Sequence, residues 1–331
     1  MNSSIPCYQT TIDKPISFVG IGLHSGEVTV LTLKPSLETR GIIFRRMDVA
    51  PEKRDILARS YNVSNTVLST TLTNDAGTAI STVEHLMAAL YGCGIDNVIV
   101  EIDGPEIPIL DGSALDFVNH IELAGIRYLE KERSVLWVKR KVEITIGKAS
   151  VMLLPSLAPS FSVSLAFPNT VIGNQSHRYE VNRSDFKQQI ANARTFGFAH
   201  QVEALKAAGF IKGGLISNAI LVDKHSIVNK EDLRHKTEFA RHKVLDAIGD
   251  LALAGYPIIA EYHSHKGGHS LNHRLLSKLM ADQRNWTLMS YSEYSDLVGP
   301  MHMSESRHHR STIEKYNHER NQLNRYYEPS C

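Results

Sequence analysis

Hydrophobic positions along the chain follow two periods, and each period predicts a different kind of element. Short segments rich in β-branched residues and bounded by Gly or Pro are typical of strands, whereas apolar residues three or four positions apart predict helices. In the first half, the pattern predicts strands over residues 27–35, 41–46 and 95–104 and helices over residues 81–94 and 111–125. Ser81 or Thr82 is expected to cap the first helix, and Gly92 or Gly94 to end it.

The second half of the chain repeats this order of elements. Its predicted strands span residues 141–147, 149–155, 161–168 and 256–264, and its predicted helices span residues 237–255 and 270–282. The succession of helix, glycine, strand and helix therefore occurs twice. Because each helix and sheet must bury one apolar face, we expect an α+β fold with two similar layers, each with helices on one face of a sheet.

The predicted domain boundary lies at residues 129–138, where charged positions run up to a strand. We expect a first α+β domain at residues 1–132 and a second at residues 133–300. Each domain carries one insertion. The first, at about residues 46–75, is polar and strand-like, and the second, at about residues 193–228, contains a helix, a Gly-Gly turn and an apolar strand.

Composition describes an ordinary globular chain of 331 residues, of which 42% are apolar and 21% charged. A net charge of +1 leaves no overall field that would attract nucleic acid or an anionic membrane. The three cysteines form no C-x-x-C motif, the N-terminus lacks a signal-peptide pattern, and no apolar run nears the ~20 residues of a membrane-spanning helix. We therefore expect a cytoplasmic protein without a transmembrane segment. Residues 301–331 are polar, and we expect a mobile tail there.

The predicted helix over residues 237–255 carries an unusual polar stripe. His242, Asp246 and Asp250 recur every four residues, so they share one face of the helix. An imidazole and a carboxylate one turn apart, roughly 6 Å, suit a single metal ion. The same spacing also occurs in ordinary helix-surface pairs, so the stripe alone leaves both interpretations open.

The corresponding helix of the first half begins with an adjacent Glu84 and His85. If the two halves pack symmetrically, His85 faces His242 and Asp246, and together they form a His-His-carboxylate group. Three protein ligands and one open position are typical of a catalytic zinc site, whereas structural sites are closed by four ligands. Glu84 would then take a proton from water beside the metal.

A dense group of histidines lies at residues 263–273. Gly267 and Gly268 permit a tight bend before His269, which can point into a cleft and act as an acid with Asp250 as its partner. For the other histidines of this stretch we expect a polar loop: His263, His265 and His273. Lys243 is displaced from His242 by about 100° around the helix, where it reaches either a substrate phosphate or solvent.

Five blocks of the chain together resemble one family, the zinc-dependent UDP-3-O-acyl-N-acetylglucosamine deacetylases of bacterial lipid A synthesis. The blocks are VGIGLHSG (19–26), STVEHLMAALYGCGIDNVIVEIDGPEIPILDGSA (81–114), ARTFGF (193–198), RHKVLDAIGDLALAG (241–255) and GGHSLNH (267–273). The resemblance spans about residues 8–300. It implies two α+β domains with helices sandwiched between the sheets, one small insertion in each domain, and an active site at their junction.

The resemblance also implies an activity and a set of roles. The activity is hydrolysis of the N-acetyl group of UDP-3-O-(3-hydroxyacyl)-N-acetylglucosamine, which yields the free 2-amine and acetate. The implied metal ligands for Zn²⁺, or for Fe²⁺, are His85, His242 and Asp246. The implied catalytic residues are Glu84 as general base, His269 as general acid, Asp250 as the carboxylate that orients His269, and Thr195 as the hydroxyl that stabilises the oxyanion.

Candidate substrate contacts follow from the same resemblance, and they are Lys243 near the diphosphate, Phe196, Phe198, Gly214, Leu215 and His24. The second insertion would form an apolar passage for the acyl chain, although its apolar side chains can also be core. One departure is visible in GGLISNA, where Leu215 and Ser217 replace a usual Ser and acidic residue. This change affects the expected acyl length rather than the chemistry.

Two other functions stay open at this point. One is another metal-dependent amidohydrolase that acts on an acylated nucleotide-sugar, and the other is a non-catalytic binding protein that contains a metal. In either case we expect a small-molecule partner with an acyl chain and a UDP moiety. We expect no nucleic acid partner, and a monomer.

Overall fold

The computed structural model describes residues 6–168 and 170–298, so the predicted tail at residues 301–331 lies outside the described residues. The strands are β1 (Tyr8–Ile12), β2 (Ile16–Ile21), β3 (Val28–Pro35), β4 (Ile42–Arg46), β5 (Asp55–Leu57), β6 (Val63–Asn65), β7 (Thr71–Thr73), β8 (Ala79–Ile80), β9 (Val98–Ile102), β10 (Ile126–Glu132), β11 (Ser134–Val138), β12 (Val142–Ile146), β13 (Ala149–Leu154), β14 (Ser160–Phe167), β15 (Gly173–Glu180), β16 (Phe196–Phe198), β17 (Ile220–Val222), β18 (Ile258–Ile259), β19 (Glu261–His265) and β20 (Trp286–Ser290). The helices are α1 (Glu84–Cys93), α2 (Leu115–Ala124), α3 (Arg183–Phe186), α4 (Val202–Ala207), α5 (Glu238–Ala252), α6 (His269–Met280) and α7 (Tyr291–Val298).

Two five-stranded sheets have the same topology, in the orders β2-β3-β9-β4-β5 and β12-β13-β19-β14-β15. In each sheet the central strand, β9 or β19, is antiparallel to the first hairpin and parallel to a strand of the second. The predicted α+β fold is confirmed, and the repeated order of elements appears as a repeated sheet. The predicted domain boundary falls where β10 ends at Glu132 and β11 begins at Ser134, and it stays a prediction.

The two sheets share one apolar core with the helices between them. α5 packs on β14 and β15, α6 packs on β12 and β13, and α1 packs against both α2 and α5. Leu86 and Leu90 of α1 and Leu245 and Ile248 of α5 are buried in the same cluster as Val100 of β9. The apolar faces of the helices from the two halves therefore pack against each other in the centre of the molecule.

Gly249 sets the distance between α1 and α5. A Cβ at this position would overlap the carbonyl oxygen of Glu84, so only glycine permits the observed approach of the two backbones. The close crossing places the first turn of α1, with Glu84 and His85, beside the polar stripe of α5. The sequence pattern did not reveal this glycine, because glycines inside helices have no periodic signal of their own.

The sequence prediction for α1 is wrong about the residue that caps its start and correct about the glycine that ends it. α1 begins at Glu84, and neither Ser81 nor Thr82 caps it through its side chain. The Thr82 hydroxyl instead donates to Oε1 of Glu106 at 2.8 Å, which removes it from the helix. Gly94 ends the helix in the left-handed conformation, as its position predicts.

The remaining predicted elements are present with shifted bounds. α2 begins at Leu115 rather than at residue 111, because Oδ1 of Asp111 accepts from the backbone N–H and the hydroxyl of Ser113 and holds a turn there. The first insertion contains β5, β6 and β7, and β6 and β7 form a small sheet with β8. The second contains α4 and the parallel pair β16 and β17.

Among residues 6–168 and 170–298, no helix combines the length and the apolar character that crossing a bilayer requires.

Candidate metal and acid–base site

The structure brings the three predicted metal ligands together in one buried pocket. His85 lies in the first turn of α1, while His242 and Asp246 lie one turn apart on α5. Nε2 of His242 is 3.4 Å from Oδ1 of Asp246, and Nε2 of His85 is 3.6 Å from the same oxygen. One possible ligand atom from each residue lies within 4.8 Å of the other two. The two helices therefore form a group that could hold a metal ion.

The hydrogen bonds around this group fit a cation. Oδ1 of Asp246 is buried and has no hydrogen-bond partner among the described residues, and a buried acceptor in that state is costly. Nδ1 of His242 lies 3.0 Å from the carbonyl oxygen of Ala193 and donates to it, so the lone pair of Nε2 faces Asp246. A divalent cation at this place would satisfy the orphaned oxygen.

The charges of the pocket favour the same conclusion. Burial lowers the pKa of His242 to about 3, so its ring is neutral, as a metal ligand must be. Burial alone would raise the pKa of Asp246, but nearby groups, among them the charged Lys243 ammonium, hold it well below its ordinary value. The pocket thus presents a neutral imidazole at His242 and an ionised carboxylate at Asp246, which suit a divalent metal.

A candidate acid–base pair adjoins this pocket. Glu84 is the first residue of α1, and its Oε1 lies 3.8 Å from Nε2 of His269, the first residue of α6. Burial raises the pKa of Glu84, which makes its carboxylate a stronger base than an exposed one. Burial would lower the pKa of His269, but the charges of Asp250 and Glu84 outweigh it and raise that pKa to about 10. A base and a protonated acid therefore stand side by side.

Asp250 holds the candidate acid through a hydrogen-bond network. Nδ1 of His269 donates to Oδ2 of Asp250 at 2.9 Å, and the side-chain amide of Asn272 donates to the same oxygen at 2.8 Å. The Tyr262 hydroxyl in turn donates to Oδ1 of Asn272 at 2.5 Å. The hydroxyl of Thr70 donates to Oδ1 of Asp250 at 2.6 Å. The carboxylate is thus bound on both oxygens.

Sequence reasoning missed three members of this network. Asn272 is three residues after His269 on α6, so helical spacing could have placed it on the same face. Tyr262 lies on β19 and Thr70 just before β7, and nothing in their spacing points to the pocket. Only the folded chain brings them to Asp250.

Lys243 lies at the edge of the metal pocket rather than in open solvent. Its Nζ is 2.8 Å from Oδ2 of Asp246 and 5.4 Å from the centroid of the Phe196 ring. Burial would lower the pKa of Lys243, but Asp246 raises it above its ordinary value, so the ammonium stays charged. A cation therefore stands next to the pocket, while the group it would meet in a substrate stays a prediction.

The segment with Thr195 is fixed beside His242. Arg194 and Glu238 are both buried and form an ion pair at 2.9 Å, and the backbone N–H of Thr195 donates to the carbonyl of Gly112 at 2.7 Å. Ala193 of the same segment supplies the carbonyl that orients His242. Thr195 is half-buried, and its catalytic role stays a prediction.

Aromatic side chains from the second insertion lie against the pocket. The Phe196 ring is 6.3 Å from the His242 ring, and Phe198 lies 6.3 Å from Phe196 and 5.4 Å from Phe167. Further along the insertion, Leu215 and Ile216 are 56% and 55% exposed. The second insertion therefore has apolar side chains both against the pocket and on an exposed loop.

His24 and Gly214 lie where the first block meets the second insertion. The backbone N–H of Ile211 donates to Nδ1 of His24 at 3.4 Å, and Gly214 donates to the carbonyl of Ile211 at 3.0 Å. Nε2 of His24 is buried without a hydrogen-bond partner among the described residues. A Cβ at Gly213 would overlap the carbonyl oxygen of Gly22, so this junction is tight.

The other histidines of residues 263–273 do not form the predicted polar loop. His263 and His265 lie in β19, and His273 lies in α6. The predicted strand over residues 256–264 and the predicted helix over residues 270–282 already included His263 and His273, and the alternating burial in EYHSH is that of a strand with one face away from the core. None of the three belongs to the His-His-Asp group.

An α+β fold with a buried His-His-Asp group that could hold a metal ion, next to a buried carboxylate and a protonated histidine, is an arrangement typical of metalloenzymes. The family described as LpxC, UDP-3-O-acyl N-acetylglycosamine deacetylase, matches residues 9–281. The match covers most of the chain, and the chain belongs to this family.

Individual relatives match over nearly their whole lengths. A UDP-3-O-acyl-N-acetylglucosamine deacetylase of Geotalea uraniireducens (strain Rf4) is 45% identical over 282 residues, which are 85% of this chain and 91% of that protein. Proteins of the same name from Campylobacter hominis and Syntrophus aciditrophicus (strain SB) are each 41% identical. These alignments cover 86% and 88% of this chain and 96% and 92% of the relatives.

Proposed function

We propose that this protein hydrolyses the N-acetyl group of UDP-3-O-(3-hydroxyacyl)-N-acetylglucosamine, giving the free 2-amine and acetate in lipid A biosynthesis. Its membership of the deacetylase family supports this substrate class. The observation that carries the proposal is the convergence of His85, His242 and Asp246 beside Glu84 and His269. Amide hydrolysis needs an activated water, stabilisation of the carbonyl oxygen and a proton for the leaving amine, and this site offers a group for each.

The metal that we propose for the His-His-Asp group is zinc, with ferrous iron as a second candidate. Two imidazoles and one carboxylate are a ligand set that leaves a position open for chemistry. When bound there, zinc would act as a Lewis acid toward the acetamide carbonyl and promote the ionisation of water. His85, His242 and Asp246 would hold the ion, and Ala193 would keep the His242 ring in place through its carbonyl.

In the proposed reaction, Glu84 takes the proton of the attacking water and His269 gives a proton to the departing amine. Burial favours the first role because it raises the pKa of Glu84, and the charges of Asp250 and Glu84 favour the second because they keep His269 protonated despite its burial. Asp250 keeps Nδ1 of the imidazole occupied, so Nε2 is the nitrogen that faces the site. The Thr195 hydroxyl is proposed to donate a hydrogen bond to the developing oxyanion.

The substrate is proposed to lie along the second insertion. Lys243 would meet the diphosphate, and Phe196 and Phe198 would contact the sugar end of the acyl chain. Leu215 and its neighbour Gly214 would border the chain farther out. His24 would approach the substrate from the opposite side of the junction. The monomeric state, the cytoplasmic location and the two-domain division are further proposals that accompany this function.

One experiment tests the function directly. Metal-loaded protein is incubated with UDP-N-acetylglucosamine derivatives that carry 3-hydroxyacyl chains of several lengths, and acetate release is measured beside UDP-N-acetylglucosamine without a chain. We expect acetate only from the acylated substrates. Glu84→Gln and His269→Ala should each reduce turnover by about 10²–10⁴-fold while the metal content stays near one ion per chain.

The same assay separates the alternatives. Equal turnover of the acylated and the plain nucleotide-sugar would point to another amidohydrolase, and no turnover of any substrate by metal-loaded protein would point to a binding protein. His263→Ala serves as the control, because this half-exposed histidine on β19 pairs with Glu261 and lies outside the His-His-Asp group.

A further inference from the structure

Thr70 occupies a central position between the candidate base and the carboxylate behind the candidate acid. It is only 2% exposed and directly precedes β7. Its backbone N–H donates to Oε2 of Glu84 at 3.0 Å. Its carbonyl oxygen accepts from the N–H of Val83 at 3.3 Å, just before α1. Both backbone groups of Thr70 are therefore bound to the two residues at the start of α1, its N-cap Val83 and its first residue Glu84.

The side chain of Thr70 reaches the other helix. Its hydroxyl donates to Oδ1 of Asp250 at 2.6 Å, across 180 positions of sequence. The two remaining donors to Asp250, from His269 and Asn272, both bind Oδ2. Among the described residues, Thr70 is thus the one donor to Oδ1 of Asp250.

We propose that Thr70 is a positioning residue that fixes the base and the acid relative to each other. Its N–H holds the Glu84 carboxylate, and its hydroxyl stops the Asp250 carboxylate from rotating, which keeps the His269 ring aimed at the site. The inference rests on the proposed function for its catalytic meaning, while the hydrogen bonds that carry it belong to the fold.

Removal of the Thr70 hydroxyl should affect catalysis more than any other change to this side chain. Without it, Oδ1 of Asp250 becomes a buried acceptor with no donor, and the carboxylate gains by turning toward another partner or toward water. Because His269 is bound to the other oxygen of the same carboxylate, its ring follows. A displacement of about 1 Å of a catalytic group can cost about 10²-fold in rate.

The direct test compares Thr70→Val with Thr70→Ser. Valine keeps the shape and the backbone N–H but removes the hydroxyl, whereas serine keeps the hydroxyl and loses a methyl. We expect Thr70→Val to lower kcat by about 10- to 100-fold with KM changed less than about 3-fold, because substrate binding does not involve this residue. Metal content should stay near one ion per chain. Thr70→Ser should recover most of the lost kcat.

A matched control separates an effect on the positions of the catalytic side chains from a general loss of folding stability. Thr11 is also a fully buried threonine, and its hydroxyl accepts from the backbone N–H of Ser36 at 3.0 Å, in a different part of the fold. Thr11→Val should lower the stability by an amount similar to Thr70→Val but leave kcat as in the wild type. In addition, Thr70→Val should cost little when added to Asp250→Asn, because both changes act on the same contact.

Crystal structures of the metal-loaded wild type and of Thr70→Val decide the placement without any assay. We expect the Asp250 carboxylate to rotate and the bond between Asp250 and His269 to lengthen beyond hydrogen-bond range. Unchanged positions of both side chains, or wild-type kcat in Thr70→Val, would overturn the inference. If the wild type released no acetate, the proposed function would fail, and the crystal comparison would still decide whether Thr70 sets these two side chains.

Discussion

Nδ1 of His269 lies 2.9 Å from Oδ2 of Asp250, and this contact joins the first residue of α6 to the last turn of α5. The carboxylate outweighs the cost of burial and keeps the imidazole protonated, with a pKa of about 10. In an unfolded chain the same ring has an ordinary pKa of about 6.5. The folded protein therefore binds this proton more tightly than the unfolded chain does.

The proton linkage predicts how stability changes with pH. Because the folded pKa is the higher one, the ion pair contributes fully below pH about 6.5, and its contribution is lost as pH rises toward about 10. We expect metal-free Asp250→Asn to be less stable than the metal-free wild type. The difference between their free energies of unfolding should shrink as pH rises from about 6.5 to about 10. Urea unfolding at several pH values measures it. A difference in free energy of unfolding that widens as pH rises would contradict the ion pair between His269 and Asp250.

Removal of a metal ligand should separate metal binding from folding. In His242→Ala and in Asp246→Ala, we expect metal content to fall well below one ion per chain and turnover to fall with it. His265→Ala should keep the wild-type metal content, because His265 lies in β19 and not in the pocket. Metal analysis after dialysis, with circular dichroism as the check of folding, provides the measurement. Full metal content in both ligand variants would place the ion elsewhere.

Gly249→Ala should force α1 and α5 apart. The new Cβ meets the backbone of Glu84, which cannot move as a flexible side chain would, so we expect a loss of about 1–3 kcal/mol of stability. Metal affinity should fall as well, because His85 on α1 and Asp246 on α5 would separate. Gly197→Ala is the matched control, since its Cβ would meet nothing within 4 Å. Equal behaviour of the two variants would show that the close crossing is not needed.

The proposed contact of Leu215 with the acyl chain predicts an effect on acyl-chain preference. Leu215 is 56% exposed, so Leu215→Asp should leave the fold intact while it places a charge beside the proposed chain. We expect KM to rise for substrates with long chains and to change little for short ones. Leu37→Asp is the control, because Leu37 is 65% exposed and lies outside the second insertion. The same rise in both variants would count against a chain at Leu215.

The sequence predicted those parts of the molecule that depend on local periodicity. The stripe of His242, Asp246 and Asp250 is visible because a helix repeats every 3.6 residues, and α5 forms where that pattern lies. His85 was found through the repeated order of elements, which the two sheets reproduce. Both signals follow from neighbours along the chain.

Contacts between distant segments explain what the sequence did not reveal. β15 was missed because its sequence, GNQSHRYE, has almost no apolar positions and it lies at the edge of its sheet. The Thr82 hydroxyl was expected to cap a helix, but Glu106, 24 residues later, takes it. Thr70 binds Asp250 across 180 positions, and no local pattern encodes such a pair.

The candidate ligand group is divided between two helices that are far apart in the sequence, since His85 comes from α1 and both His242 and Asp246 come from α5. A polypeptide released from the ribosome before α5 is made would carry only one of the three candidate ligands, His85, and should not retain the ion. Proteolysis between α1 and α5 that separates the two helices would divide the candidate ligands in the same way. The amount of tightly held metal in a preparation would therefore count intact, fully folded molecules.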